Sequence, residues 1–490
     1  MIIGSEYNEK IQSLLISYIN EAGKCSFMKK KLHRSELFNW TISKNPTVDK
    51  NWDGRFIKRT PSSGKWLTKE RVFELIQTKF SKEDLNTIYE SDFTASKAYL
   101  DIEIELISDD FPEADKAAMP VNLITFCNSN NDCYVLSTMK DQNTGDPLSI
   151  DEQKTINEDV HTYFKNIKNT KEGDRKILDQ TFNINYIQFS TEKEMMECFF
   201  HKILPKIPLI TGWNVINFDW IYLMNRCKNI GVDAFLNLPS ERIVSRHNKV
   251  PIHTAVLDYM EMVMQMKPYK VMENYKLDYF ANLSLGVTKL KSNHKSMREA
   301  QKHVAEFTMY NIIDVLIVKM LDDKHELLDV ALSLSKVARV EINKVFNPVH
   351  ITETLICREF LSNGMRMAKD GKPENANKSG TYAGAFVMPP IPGHYDYVAC
   401  YDFASMYPNV QMQFNISPDS FLGKGSIKKT GTEINFKPSA ITFTKCIFDY
   451  SILENRIREL AFLNSGVHID LIDQREEDEK KATFFCFSCH

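Results

Sequence analysis

The sequence predicts an α/β and α+β multidomain protein, and three observations carry that reading. The chain has 490 residues, roughly three domains at the usual domain size. Strand-like runs at Lys97–Glu105, Val121–Phe126 and Ile207–Thr211 are separated by segments with helical spacing, among them Trp220–Cys227 and Ala305–Leu321. A polar stretch, Lys369–Ser379, then reads as a linker before a further strand, Tyr397–Phe403. Hydrophobic content of 43% and charged content of 26% are ordinary for a soluble globular protein. The absence of any long apolar run excludes a membrane span, and the N-terminus lacks the basic-then-apolar pattern of a secretory signal. Ten cysteines without framework spacing are expected to be reduced thiols in a cytosolic compartment. A net charge of −3 excludes a uniformly basic coat. It is compatible with a locally basic cleft around an acidic, metal-loaded centre.

Taken in order, Glu9–Ala22 and Thr68–Phe80 both show helical spacing. The basic cluster between them, Met28–Arg34, reads as a solvated face. In Lys97–Glu105, K-A-Y-L-D-I-E-I-E, apolar and acidic residues alternate, so a strand would put Asp101, Glu103 and Glu105 in one row and Ile102 and Ile104 on the other face. A row of like charges needs a cation or a solvated edge. In isolation the solvated edge is the better reading, and what changes it is the supply of carboxylates elsewhere.

Asp219 ends G-W-N-V-I-N-F-D between a predicted strand and a predicted helix, where free helical amides also point. Asp258 and Asp278 lie beside apolar residues and read as caps. Tyr310 and Asp314, four apart on a helix, share one face. Asp402 sits in a mostly apolar strand ending near Pro408, and a buried acid needs a partner, a proton or a metal. The segment from Asp449 turns helical and is strongly charged at Gln474–Lys481. The terminal F-F-C-F-S-C-H contains the spacing C-x-x-C-H (Cys486, Cys489, His490) but has no companion ligands nearby for zinc, and reads as a tail.

Four segments in order resemble the motifs of family B DNA polymerases, most closely the replicative polymerases of T-even-like bacteriophages. Asp101 and Glu103 match the D-I-E strand, Asn214–Asp219 match N-x-x-x-F-D, and Tyr310–Asp314 match Y-x-x-x-D. Asp402, Ser405, Met406, Tyr407 and Pro408 match D-x-x-S-L-Y-P, with Met406 at the Leu position. Tyr382–Ala385 resembles the short tyrosine-glycine motif between the two activities, and Asn415–Pro418 also looks phage-like. The likeness covers roughly residues 97–450.

The resemblance implies a ribonuclease-H-like 3′–5′ exonuclease domain, a mixed sheet flanked by helices, followed by the beginning of a polymerase palm. The implied domains are 1–96, N-terminal, with 328–372 packing back on it; 97–327, exonuclease; 373–448, first part of the palm; and 449–490, start of the fingers or an irregular tail. Hydrolysis of a terminal phosphodiester by two divalent ions about 3.5–4 Å apart needs carboxylates from several elements, because magnesium prefers oxygen ligands. By the resemblance Asp101 would bridge two Mg2+ ions, Glu103 and Asp314 would hold one, Asp219 would assist, and Tyr310 would orient the attacking water. Asp402 would bind polymerase metal. Ser405 and the amide of Met406 would meet the triphosphate of a dNTP, and Tyr407 would stack under the sugar.

The fingers motif K-x-x-x-N-S-x-Y-G is absent, since Leu463–Gly466 only echoes it and Leu460 stands where lysine belongs. Y-x-D-T-D, with the second metal aspartate, does not occur either. Polymerase-site ions are therefore expected only if a second aspartate is supplied, and the isolated chain is expected to act as an exonuclease only. Arg475 could meet a triphosphate at the start of the fingers, and the hairpin region Ile243–His253 is shorter than in the phage relatives. The expected partners are single-stranded and primer-template DNA, dNTP, a C-terminal polymerase chain and a sliding clamp, with no membrane, in the cytoplasm of an infected bacterial host. The alternatives are a subunit of a split polymerase, completed by a second chain, and a non-catalytic DNA-binding remnant.

Overall fold

A computed structural model describes the chain except residues 52–53, 91–94, 108–111, 142–143, 169–171, 236–240, 244–248, 266–271, 291–293, 369–390, 392, 397–402, 415–448, 464–467, 474, 476–479 and 486–490. The described residues fall into two units, Met1–Ser379 and Gly380–His490.

The first unit opens with β1 (Ile2–Asn8), β2 (Ser13–Ile19) and β3 (Cys25–Lys31), an antiparallel sheet in the order β1-β2-β3. This corrects the helix expected over Glu9–Ala22. Every residue of β2 is buried, so its apolar residues run continuously instead of alternating, and such a run imitates helical spacing. A second pair, β4 (Phe38–Ile42) and β5 (Ile57–Pro61), is followed by α1 (Lys69–Lys79) and α2 (Lys82–Tyr89). The helix expected over Thr68–Phe80 is α1, and Thr68 caps it by accepting from the Arg71 amide.

The central sheet begins with β6 (Lys97–Ile104), β7 (Val121–Asn128) and β8 (Asp132–Ser137). It continues through α3 (Ile150–Lys165), α4 (Glu172–Leu178), β9 (Asn183–Gln188), α5 (Glu192–Cys198), β10 (Leu209–Gly212) and α6 (Asp219–Ile230). A short hairpin of β11 (Glu241–Ile243) and β12 (Lys249–Pro251) precedes β13 (Ala255–Asp258). The sheet order is β13-β10-β6-β7-β8-β9. Strands β13, β10 and β6 are parallel, β6–β7 and β7–β8 antiparallel, and β8–β9 parallel. The sheet is thus mixed, as the sequence reading expected.

The helices that follow are α7 (Tyr259–Gln265), α8 (Leu277–Leu285), α9 (Met297–Ala300), α10 (Val304–His325), α11 (Leu327–Ala338) and α12 (Pro348–Ser362). On one face of the sheet, Tyr99, Leu123, Cys127 and Val135 share a core with apolar residues of α3, α8, α10 and α11. On the other, Leu100, Ile102, Ile104, Ile124 and Phe126 pack with residues of α5 and α6. Burial on both faces fixes the register of β6, because a one-residue slip would move its carboxylates into the second core. The segment after α11 touches the first strands: Ser5 donates from both its amide and its hydroxyl to Glu341 at 2.9 Å, and Ala368 donates to Asn51 at 2.9 Å.

In the second unit, α13 (Met406–Phe414) and α14 (Tyr450–Leu463) precede an antiparallel hairpin of β14 (His468–Asp473) and β15 (Lys480–Phe485). This hairpin was not expected from the sequence. The expected strand Tyr397–Phe403 lies outside the described residues except for Phe403, which belongs to no element. Tyr382–Ala385, Asn415–Pro418, Cys486, Cys489 and His490 also lie outside them.

Candidate active site

Asp101 and Glu103 project from β6 with alternating burial: each is partly buried while Ile102 and Ile104 are fully so. Glu105, expected to be a solvated strand position, is exposed. Strand β10 pairs with β6 only as far as Tyr99. Beyond that point the amide of Ile102 donates to Asp219 Oδ1 at 3.2 Å. Asp219 is the first residue of α6 and is only 4% exposed.

The loop that delivers Asp219 is built by two features. Gly212 passes so close to β6 that a Cβ there would lie 2.4 Å from the Leu100 carbonyl oxygen. Asp258, at the end of β13, accepts the amides of Asn214 at 3.1 Å and Ile216 at 3.2 Å, and also those of Met260 at 3.0 Å and Glu261 at 3.4 Å. The sequence reading of Asp258 as a cap therefore captures only its contacts with the start of α7. The same carboxylate clamps the loop leading to Asp219. Burial pushes it up to about 6, against the pull of these amides.

Helix α10 packs across β6 and β7 and presents Tyr310, Asn311 and Asp314 to the strand. Asn311 Nδ2 donates to Asp101 Oδ2 at 2.6 Å. Asp314 is 3% exposed and is met by Lys289, whose ammonium donates to Asp314 Oδ2 and lies 3.3 Å from the Tyr310 hydroxyl. Asp278 holds the Lys289 segment in turn, accepting its amide at 2.6 Å.

Sequence reasoning missed Lys289 and Asn311. Asn311 was visible only as a variable position inside Y-x-x-x-D. The only sign of Lys289 was a basic stretch, K-L-K, with no spacing to connect it to an acid 25 residues away.

The acids perturb one another as converging like charges must. Burial, then the charge of Asp314, push Asp101 up to about 7, opposed by Lys289 and Asn311. Glu103 is held well above the carboxylate range by burial and by Asp101 and Asp314, and Asp219 by burial and Asp101. Burial also raises Asp314, with Lys289 opposing. Burial alone would lower Lys289, but Asp314, Tyr310 and Asp101 outweigh it and raise it.

Among the described residues, Asp314 Oδ1 and Asn311 Oδ1 have no hydrogen-bond partner, and no three acidic, histidine or cysteine side chains already form a closed metal cage. The chemistry of the donor set nevertheless fits a hard divalent cation. It comprises oxygen ligands, raised carboxylates that a cation would relieve, and an orphaned buried oxygen. In the second unit Ser405 has φ +48°, and Ser405, Met406 and Tyr407 are exposed at the start of α13. Asp402 lies outside the described residues.

Residues 68–285 match the exonuclease domain of DNA polymerase family B, and residues 347–482 match DNA polymerase family B itself. The chain belongs to the family B DNA polymerases. It is 29% identical over 348 residues to the DNA-directed DNA polymerase of Escherichia phage RB69, a match covering 68% of this chain and 37% of that one. With the DNA-directed DNA polymerase of Enterobacteria phage T4 the identity is 24% over 334 residues, 66% of this chain and 36% of the other. The family B chain thus spans little more than a third of these two curated relatives. A 62-residue stretch is also 55% identical to part of a DNA gyrase chain of Rickettsia bellii, covering 13% of this chain and 8% of that protein. So short a match carries no function across.

Proposed function

We propose that residues 97–327 form a magnesium-dependent 3′–5′ exonuclease acting on single-stranded DNA ends, in a replicative polymerase of phage type. What supports this reading is the meeting of α10 with β6, which sets Asp314 and Asn311 beside Asp101, with Asp219 bonded to the same strand. Asp101, Glu103, Asp219 and Asp314 would hold the ions. Bound magnesium supplies Lewis acidity at the scissile phosphate and makes water a better nucleophile.

The chain's own groups do the rest. Asn311 fixes the orientation of the Asp101 carboxylate through its 2.6 Å bond. Tyr310, one helical turn before Asp314, orients the attacking water. Lys289 brings a positive charge to the phosphoryl oxygens and opposes the rise that burial imposes on Asp314. A 5′-labelled single strand incubated with the protein and magnesium should shorten stepwise from its 3′ end and stay intact in EDTA. Shortening that persists in EDTA would overturn the reading.

For the polymerase half, Asp402 would bind metal, Ser405 and Met406 the dNTP phosphates, and Tyr407 its sugar. The motifs carrying the fingers lysine and the second aspartate do not occur in these 490 residues. Primer extension therefore needs residues beyond them, on this polypeptide or on a second chain. A primer-template assay tests this, and nucleotide incorporation by the 490 residues alone would refute it. The setting that follows is replication in the cytoplasm of an infected bacterial host, with primer-template DNA and a sliding clamp as partners.

A further inference from the structure

Beside the carboxylates lies a cavity of about 610 Å³ that the exonuclease chemistry leaves unused. Its walls come from the segment after β6 (Glu105), from β7 (Asn122), from the segment after β8 (Lys140), and from α9 and the turn that follows it (Arg298, Glu299, Lys302). Three of these residues are cations, Lys140, Arg298 and Lys302. All three are exposed. Among the described residues none of them is in an ion pair, although ion pairs are common elsewhere on the molecule. Two acids share the lining, and one of them, Glu299, already accepts the Lys295 amide at 3.1 Å. The cavity is therefore net positive beside a site that is net negative.

A second observation is independent of that charge. Asn122 is only 6% exposed, and among the described residues its side-chain oxygen has no hydrogen-bond partner. A buried amide oxygen without a donor costs stability unless a ligand or water meets it. Asn122 falls at the irregularity in the β6–β7 pairing, where the register shifts between Glu103 and Ile104. This bulge removes Asn122 from the regular alternation.

The cavity is joined rigidly to the carboxylate strand. Gln301, itself buried, accepts the Leu106 amide at 3.0 Å and donates to the Ile104 carbonyl. Glu105, on the lining, is the first residue after β6 and lies two residues from Glu103, within roughly 7 Å along the chain.

We propose that this cavity is a nucleotide subsite: Lys140, Arg298 and Lys302 take phosphate oxygens and Asn122 meets a polar base edge. The shared chemistry is a nucleoside phosphate, which could be a unit of the single strand being shortened or a free mononucleotide. The proposal rests on the exonuclease reading only for the first of these sources.

The test uses the whole chain in EDTA, with a labelled thymidine trinucleotide and free dTMP as separate probes. Combined Lys140→Ala, Arg298→Ala and Lys302→Ala substitution is expected to weaken trinucleotide binding about tenfold or more. The slope of log affinity against log salt should fall by roughly 0.7 for each phosphate no longer neutralised. A loss confined to the trinucleotide assigns the cavity to the strand, and an equal loss for dTMP assigns it to free mononucleotide. Unchanged binding of both probes would overturn the proposal.

A parallel measurement separates this result from the exonuclease reading. Magnesium-dependent hydrolysis of the p-nitrophenyl ester of dTMP, which needs no neighbouring nucleotide, reads the carboxylates by themselves and is measured in the parent and the triple variant. No hydrolysis by either protein would defeat the exonuclease reading while leaving the binding result standing. Asn122→Ala, which deletes the amide that meets the base edge, should weaken nucleotide binding while circular dichroism shows the variant folded. Unchanged or tighter binding by the folded variant would also overturn the proposal.

Discussion

Replacing Asp101 with asparagine should stabilise the metal-free protein at neutral pH, although the residue lies at the centre of the proposed active site. The carboxyl is pushed from its ordinary 3.8 up to about 7 by burial and by Asp314. Below pH 3.8 it is neutral in both folded and unfolded chains and has no effect on stability. Between 3.8 and 7 the unfolded chain ionises it while the folded chain keeps the proton, so stability falls by 1.36 kcal/mol per pH unit. Above pH 7 the loss is complete, with a ceiling of about 4 kcal/mol. Charge sharing with Asp314 brings the expected figure to on the order of 2–4 kcal/mol. Asparagine removes the charge and keeps an oxygen to accept from Asn311.

Urea denaturation in EDTA at pH 4 to 8 should show the variant and the parent equal near pH 4. The variant should then be progressively more stable toward pH 8. Magnesium should narrow or reverse the gap, because only the parent has the full ligand set. A difference that is flat with pH, or a variant less stable at pH 8, would refute the reasoning.

Three other substitutions test the scaffold. Asp258→Ala strips the acceptor from four amides and should cost on the order of 3 kcal/mol in urea denaturation, since some of them stay buried without partners; a cost below about 0.5 kcal/mol would show that the clamp is idle. Gly212→Ala drives a methyl group against the Leu100 carbonyl and should lower stability by about 1–3 kcal/mol, visible as a lower urea midpoint. Lys289→Ala leaves Asp314 buried without its ion pair and should cost about 2 kcal/mol at pH 8, discounted from a fully buried pair because Lys289 is part-exposed. That cost should shrink as the pH is lowered, because burial raises Asp314 and loss of Lys289 removes the charge that opposes the rise, and the ratio of the values measured at pH 8 and pH 5 checks it.

The candidate site was legible where its residues share one element. Asp101 and Glu103 could be read from alternation because the end of β6 sets half-buried acids on one face against buried Ile102 and Ile104 on the other, and Tyr310 with Asp314 from the helical turn between them. Lys289, Asn311 and the second role of Asp258 were hidden. Their partners are brought near by the packing of α10 on β6 and by the crossover from β10 to β13, and sequence spacing does not encode either. In the N-terminal segment β2 was misread as helix because it is buried on both faces and shows no alternation. In the second unit the β14–β15 hairpin was obscured by its charge: Asp470, Asp473, Lys480 and Lys481 lie within its strands, where exposed edges tolerate them.

The central claim is that the carboxylates gathered by β6, α6 and α10 drive removal of a 3′-terminal nucleotide. Single-turnover release of a labelled terminal nucleotide in magnesium tests it most directly, with circular dichroism and thermal midpoints confirming that each variant is folded. Asp101→Ala and Asp314→Ala are each expected to slow release by about 10³-fold or more, the rate equivalent of losing several kcal/mol of metal-assisted stabilisation. Release by either folded variant at the parent's rate would contradict the account.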